Sequence, residues 1–346
     1  IAMDCILKSN SKFVILKSKN SDKKNIVVKY DLRHKHRIHL EFKRINLLKK
    51  KHAFYKKHLV DIKDLKKQDL WLFKNIYSYQ MPYISGESLS TIIRNQEIDF
   101  DTKNNITKKL YEDFIAISEK HTENSLIGKK MLWNTKCKTV LDQIIKVDYI
   151  NHLLSSPLNI NGDIIKDPKN TLLEFFNKKN KSFIPCNQIH GNFHGENIII
   201  PDISNKNNYK LIDPDCSLKD VDSTFSVARF LYTYIHDTVE QKKYIITSIL
   251  NNSKKNHVFL YDIVWDKSIK KSYSIFDRLI KNLVQNFYLD EKSNRLFKSY
   301  ILCLMLGILA NDNGFKLSQC SNNRIQVNSN AYFILLNIFN YIKPLI

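Results

Sequence analysis

Over the first thirty residues the apolar positions form short β-type runs, at 5–8, 13–17 and 25–30, with polar Ser, Asn and Lys between them. Runs of that length and spacing predict a small antiparallel sheet. From Arg37 to about His58 the period changes, and Ile38, Phe42, Ile45 and Leu48 recur every three or four residues as in a helix. Residues 71–73 and 78–81 predict two further strands. Beyond residue 85 the pattern is mostly helical, with helices expected at 89–95, 103–121, 136–154 and 170–177. Further helices are expected at 224–237, 239–251, 272–288, 293–311 and 330–342. Between the two groups lies a compact β-turn-β segment over 188–213, whose apolar strands at 197–200 and 209–212 are joined by polar 201–208. Sheet first and helices afterwards predict an α+β layout, with an N-terminal lobe at 4–85 and a larger, mainly helical lobe at 86–346.

Composition agrees with that layout. The chain has 346 residues, 43% of them hydrophobic, so it can bury a sizeable core. Only seven Gly and seven Pro leave little room for the many tight turns of a sandwich or barrel. The six cysteines, from Cys5 to Cys320, lie far apart with no metal-ligating spacing, which fits reduced thiols in a cytoplasm. Ile1 and Ala2 read as additions before a native Met3, with no signal peptide following. The most apolar run, 300–310, is too short to cross a bilayer and reads as a buried helix.

The formal charge of +21 would suggest nucleic acid or an anionic membrane if it were concentrated. It is instead spread along the chain with abundant Asn and Ile, as an AT-rich coding sequence produces, so a nucleic-acid partner is not expected. Lys49, Lys50, Lys51, Lys56 and Lys57 make a basic helical surface without interleaved RNA-binding aromatics, and read as a solvated face. His34, His36 and His39 read as solvent-facing too.

The chemistry concentrates in His190-Gly191-Asn192-Phe193-His194-Gly195-Glu196-Asn197, followed sixteen residues after Asn197 by Asp213 in Leu211-Ile212-Asp213-Pro214-Asp215. Phosphoryl transfer needs a divalent cation held by hard oxygens and a group that orients the attacking hydroxyl. A loop entering a strand, then a hairpin returning to a second strand that ends in Asp, brings an amide oxygen and a carboxylate together. Gly191 and Gly195, two of only seven glycines, suggest backbone angles closed to other residues. The histidines at 190 and 194 would suggest a metal pair on a helix, but the glycines make this a loop, and His190 reads as its brace.

This stretch resembles the catalytic and metal loops of the aminoglycoside phosphotransferase and choline kinase superfamily, whose signature is His-Gly-Asp-x-His-x-x-Asn followed by Ile-Asp-x-Asp or Ile-Asp-x-Glu. The resemblance implies a protein kinase-like two-lobe fold, ATP or GTP with Mg2+ as cofactors, and a small-molecule hydroxyl as acceptor. It places Asn197 and Asp213 on magnesium, with catalytic positions at His190, Asn192 and Asp215. Lys29 in Ile26-Val27-Val28-Lys29 looks like the lysine that reaches the α- and β-phosphates, and Glu41 sits where its pairing acid would be. Met81-Pro82-Tyr83-Ile84-Ser85-Gly86-Glu87 is similar to the hinge whose backbone holds adenine, so Met81 and Tyr83 join the cofactor-binding set. A strongly positive chain repels polycations, so the acceptor expected is neutral or anionic.

One position departs from the pattern. Asn192 stands where the family has its catalytic Asp, and an amide is no base near neutral pH. General-base help is worth roughly 10²–10⁴-fold, whereas a loose phosphoryl transition state depends more on positioning and charge. Three readings stay open: Asp215 or Glu196 replaces the base, the chain binds nucleotide as a silent pseudokinase, or the metal site serves nucleotidyl transfer.

Overall fold

The computed structural model describes residues 3–9, 13–19, 24–31, 37–70, 73–95, 97–119, 123–124, 157–160, 163–177, 185–187, 190–214, 221–222, 244–253 and 256–265, with isolated residues elsewhere. The expected α+β class is the one observed, with an antiparallel N-terminal sheet and helices. The chain divides into two compact units. The first combines Ile1–Ile92, Asp101–His121 and Gln188–Asp220; the second combines Ile93–Phe100, Thr122–Asn187 and Val221–Ile346.

The first unit is built on strands β1 (Met3–Ser9), β2 (Phe13–Lys19), β3 (Asn25–Asp31), β4 (Lys63–Leu70) and β5 (Phe73–Pro82). They form one antiparallel sheet in the order β1-β2-β3-β5-β4. β3 is central, and its Ile26, Val27, Val28 and Lys29 are all buried. The single run 73–82 replaces the two short strands expected at 71–73 and 78–81. β4 was not expected, because Lys63-Asp64-Leu65-Lys66-Lys67-Gln68 has no apolar alternation. It pairs on one side only, and charged side chains suit a sheet edge. An irregularity between Lys63 and Lys66, with Asp64 at φ 56°, interrupts its ladder.

The helix expected over 37–58 is two helices, α1 (Arg37–Lys51) and α2 (Ala53–His58), broken at His52, whose φ of −133° and ψ of 122° are extended. α1 packs on β3 and β5 and buries Ile38, Glu41, Arg44, Ile45 and Leu48. The three-to-four spacing of these positions is what turns one stripe of the helix inward.

A second small sheet completes this unit. β6 (Glu87–Ser88) leads into α3 (Leu89–Arg94), capped where the Thr91 N–H donates to Ser88 Oγ at 3.1 Å. α4 (Phe100–Glu119) follows. The second unit contributes β7 (Glu123–Asn124), β8 (Leu158–Ile160), β9 (Asp163–Ile165), α5 (Pro168–Asn177) and β10 (Pro185–Asn187). α5 starts earlier than its periodicity suggested. Asp167 accepts from the Asn170 N–H at 3.1 Å, and Pro168 sits at the first helical position, where no donor is missed. β11 (Ile198–Ile200) and β12 (Lys210–Leu211) form the expected hairpin, and β11 also pairs with β6. Gly86 permits that pairing: at φ 147°, a Cβ there would lie 2.4 Å from the Ile200 carbonyl oxygen.

In the second unit β13 (Val221–Asp222) pairs with β10, and β14 (Tyr244–Ser253) with β15 (Asn256–Trp265). The helix expected at 239–251 is therefore corrected to a strand at 244–253. Tyr244-Ile245-Ile246-Thr247 is rich in β-branched and aromatic residues, and ladder pairing along all of β14 outweighs the helical spacing. The helices expected at 272–288, 293–311 and 330–342, and nearly all of those at 136–154 and 224–237, lie outside the described residues.

Candidate functional site

All the site residues described below belong to the first unit. β3 directs Lys29 inward, and α1, packed on β3, presents Glu41 to it. The Lys29 ammonium lies 2.8 Å from Glu41 Oε2 and 3.0 Å from Oε1, and both residues are almost fully buried. On its other side Lys29 Nζ donates to Asp213 Oδ1 at 2.7 Å. One cation thus joins residues 12 and 184 positions away in sequence.

The electrostatics follow from burial. Desolvation acts to lower the Lys29 pKa, but Glu41, Tyr79 and Asp213 outweigh it and hold the group well above the ordinary lysine value. Burial pushes the Glu41 carboxyl up to about 7, with Lys29 opposing the rise. For Asp213 burial also acts upward, yet Lys29 and then His190 and His194 prevail and lower it. Its side chain is 48% exposed, so one face of this carboxylate meets solvent. Tyr79 on β5 is buried and its hydroxyl donates to Glu41 Oε1. Tyr79 thereby orients Glu41, a role that the apolar pattern of its strand does not show. The detectable signal was register: β3–β5 pairing sets Tyr79 opposite Lys29.

The loop 190–197 is braced from within. His190 is fully buried, its backbone N–H donates to the Tyr55 hydroxyl at 2.9 Å, and its Nδ1 accepts from the Asn192 N–H at 3.3 Å. Nε2 therefore carries the proton and donates to the Ile212 carbonyl at 2.9 Å. Gly191 takes φ 71°, the left-handed region that glycine favours. Phe193, also fully buried, stacks between His190 and Phe114 of α4 at centroid distances of 5.0 and 4.0 Å. A three-residue 3-10 turn, Gly195–Asn197, then feeds β11.

Asn192 and Asn197 converge on Asp213 from the same loop. Asn192 Nδ2 donates to the Asp213 carbonyl at 3.0 Å, and Asn197 Nδ2 donates to the Asn192 carbonyl at 3.1 Å and the Asp213 carbonyl at 3.4 Å. The Ile212 N–H donates to the Asn197 carbonyl at 3.0 Å, and Asp213 itself takes a φ of 54°. That left-handed turn, unusual outside glycine, lifts the carboxylate off the β12 direction toward Lys29.

The structure thus brings together Lys29, Glu41, Asn192, Asn197 and Asp213, with His190 behind them. Met81 is the penultimate residue of β5, opposite Val27. Tyr83 is partly exposed, its N–H donates to the Asn25 carbonyl at 3.1 Å, and Lys17 Nζ lies 4.1 Å from its ring centroid. Its N–H is therefore already committed. Glu196 is exposed, and Asp215 lies outside the described residues. His34 and His36 do too, whereas His39 is half-buried with its ring 5.7 Å from that of Tyr77, unlike the solvent-facing position expected.

The donor set fits a hard divalent cation. With Asn197 Nδ2 committed to two carbonyls, Oδ1 is the atom of that amide able to ligate, and Asp213 offers the carboxylate oxygen not engaged by Lys29. Among the described residues no group of three or more His, Cys, Asp or Glu could hold a metal. An ion here would thus need further oxygens from water or a phosphate, the usual condition of protein-bound magnesium.

No protein-family model and no curated protein matches the sequence. Solved structures similar to the chain include an aminoglycoside-3'-phosphotransferase of type VIII, at 11% identity, covering 86% of this chain and 92% of that one with a TM-score of 0.43. An amicoumacin kinase in complex with AMP-PNP and Ca2+ is 9% identical, over 98% and 87%, with a TM-score of 0.45. An aminoglycoside phosphotransferase from Alicyclobacillus acidocaldarius is 10% identical, over 99% and 89%, with a TM-score of 0.42. With scores below 0.5, the functional reading rests on the residues of the site.

Proposed function

We propose that the chain is an ATP- and magnesium-dependent phosphotransferase acting on a hydroxyl of a small molecule. The observation that carries this reading is the buried Lys29, held between Glu41 and the half-exposed Asp213, with Asn197 one hydrogen bond away. A cation fixed by two carboxylates is placed to receive phosphate oxygens without losing its proton, because both neighbours favour the charged form.

In this reading Lys29 positions the α- and β-phosphates and Glu41 keeps its ammonium in place. Asn197 and Asp213 hold magnesium, which supplies charge compensation to the phosphates when bound. Met81 and Tyr83 flank adenine at the end of β5. Asn192 orients the acceptor hydroxyl, with Asp215 as an auxiliary carboxylate, and His190 keeps the loop shape. GTP fits these groups as well as ATP does.

A second reading, a nucleotide-binding protein that acts through a partner, is favoured by one observation. The Asn192 amide donates to the Asp213 carbonyl, so this position serves loop structure where a base would serve chemistry.

Calorimetry of ATP with magnesium on wild type and Asp213→Ala, alongside turnover in a panel of alcohols, tests both. Metal-dependent binding lost in Asp213→Ala, together with turnover, is the expected result. Binding without turnover on any acceptor favours the second reading, and absence of nucleotide binding rejects both.

A further inference from the structure

The outer face of α1 carries a feature that the nucleotide site does not use. Among the described residues only four large hydrophobic side chains are exposed, and two of them, Leu40 at 48% and Leu47 at 37%, lie one heptad apart on this helix. Lys43 and Lys50 are exposed on the same stripe, so the solvent face reads Leu40, Lys43, Leu47, Lys50 at three- and four-residue steps. The inward stripe of Ile38, Ile45 and Leu48 is already satisfied by the sheet, so the outer leucines are not core residues left over.

Charge on this helix is one-sided. Arg37, Lys43, Lys50 and Lys51 are exposed, whereas Arg44 is buried, Lys49 is paired with Asp61, and the helix's one acid, Glu41, is buried and paired with Lys29. No acid occupies the first turn, where the helix dipole would favour one. Immediately after it α2 adds exposed Lys56 and Lys57, and Lys210 Nζ donates to the Lys57 carbonyl at 2.7 Å, which brings a further cation to that end. Lysines spread over a surface could serve any polyanion. Exposed leucines set between them are of no use to a phosphate backbone, which is read by cations and stacked aromatics. They suit an interface with a charged layer above an apolar one.

We propose that the outer face of α1 docks on an anionic lipid bilayer, its lysines at the headgroups and Leu40 and Leu47 dipping into the acyl boundary. The proposal is of attachment at the bilayer surface; no helix among the described residues is long and apolar enough to cross a membrane. Because the same helix carries Glu41 on its inner face, the bilayer would lie directly behind the residue that holds Lys29.

Sedimentation of the full chain with vesicles at physiological salt tests the proposal. The protein is expected to bind vesicles containing phosphatidylserine and not vesicles of phosphatidylcholine alone. Lys43→Glu with Lys50→Glu should weaken binding at least about thirtyfold, as two lost cations at a charged surface require. Leu40→Ser with Leu47→Ser should weaken it severalfold at unchanged charge. Lys24→Glu with Lys166→Glu, exposed positions elsewhere, matches the first pair in net charge and should leave binding nearly intact. The docking face is refuted if anionic vesicles are not bound, if the control pair weakens binding as much as the α1 pair, or if the leucine pair has no effect. Retention on polyuridylate that depends on Lys43 and Lys50, without vesicle binding, would refute it in favour of nucleic acid. Circular dichroism and thermal melts confirm that each variant is folded, since all the changed side chains are exposed.

Discussion

Replacing Lys29 with Met removes the cation and leaves Glu41 buried among Lys29's former neighbours. The cost should depend on pH, and its sign can be worked out. The Glu41 carboxyl stands at about 7 in the folded chain against 4.5 ordinarily. It holds its proton more tightly folded than unfolded, so its contribution is most favourable below about 4.5 and is lost as pH rises through 7. A displacement of that size corresponds to roughly 3 kcal/mol. Without Lys29 the opposing attraction disappears and the carboxyl moves higher still, which deepens the loss and extends it above pH 7. The raised Lys29 value acts only above the ordinary lysine range, outside this window. At about pH 5, where Glu41 is protonated, Lys29→Met should cost about 1–3 kcal/mol, as a lost charged hydrogen bond does. At about pH 8 it should cost about 3–5 kcal/mol, because Glu41, ionised beside Lys29 in the wild type, must in the variant either take up a proton or stay buried as an uncompensated charge. Asp213 adds little to either figure, because its half-exposed carboxylate is screened by water. Urea unfolding followed by far-ultraviolet circular dichroism at both pH values measures the difference. Lys29→Met with Glu41→Leu, which removes both charges, should recover most of the loss and its pH dependence. A Lys29→Met cost equal at the two pH values would refute the reasoning.

Two further substitutions test local geometry. Gly86→Ala forces a Cβ into the Ile200 carbonyl at a φ of 147°, and should destabilise the chain by about 2 kcal/mol or more, seen as a lower urea midpoint. Asn192→Asp exchanges the donor to the Asp213 carbonyl for a carboxylate oxygen and should cost about 1–3 kcal/mol in the same assay. If the proposed phosphotransfer lacks only its base, the same variant should raise turnover on the accepted alcohol by about 10²-fold or more.

Much of the site could be read from the chain alone, because its chemistry is local. His190, Gly191, Asn192 and Asn197 share one loop, and Asp213 ends the hairpin that the loop opens, so spacing alone implied their proximity. Lys29 and Glu41 were legible only through the resemblance to the phosphotransferase signature, since a lone Lys or Glu in so basic a chain reads by itself as a solvated side chain. β4 and β14 were not legible. β4 is a charged edge strand whose pairing comes from β5, and β14 is a segment whose apolar spacing serves a helix as well as a strand until β15 supplies a ladder. Tertiary structure alone decided that Tyr79 bonds Glu41, that Tyr55 accepts from His190 across 135 residues, and that Asp213 turns left-handed to reach Lys29. Each is a hydrogen bond or ion pair between segments remote in sequence. Periodicity reports which face of an element is buried, but not which polar atom of another element is waiting there.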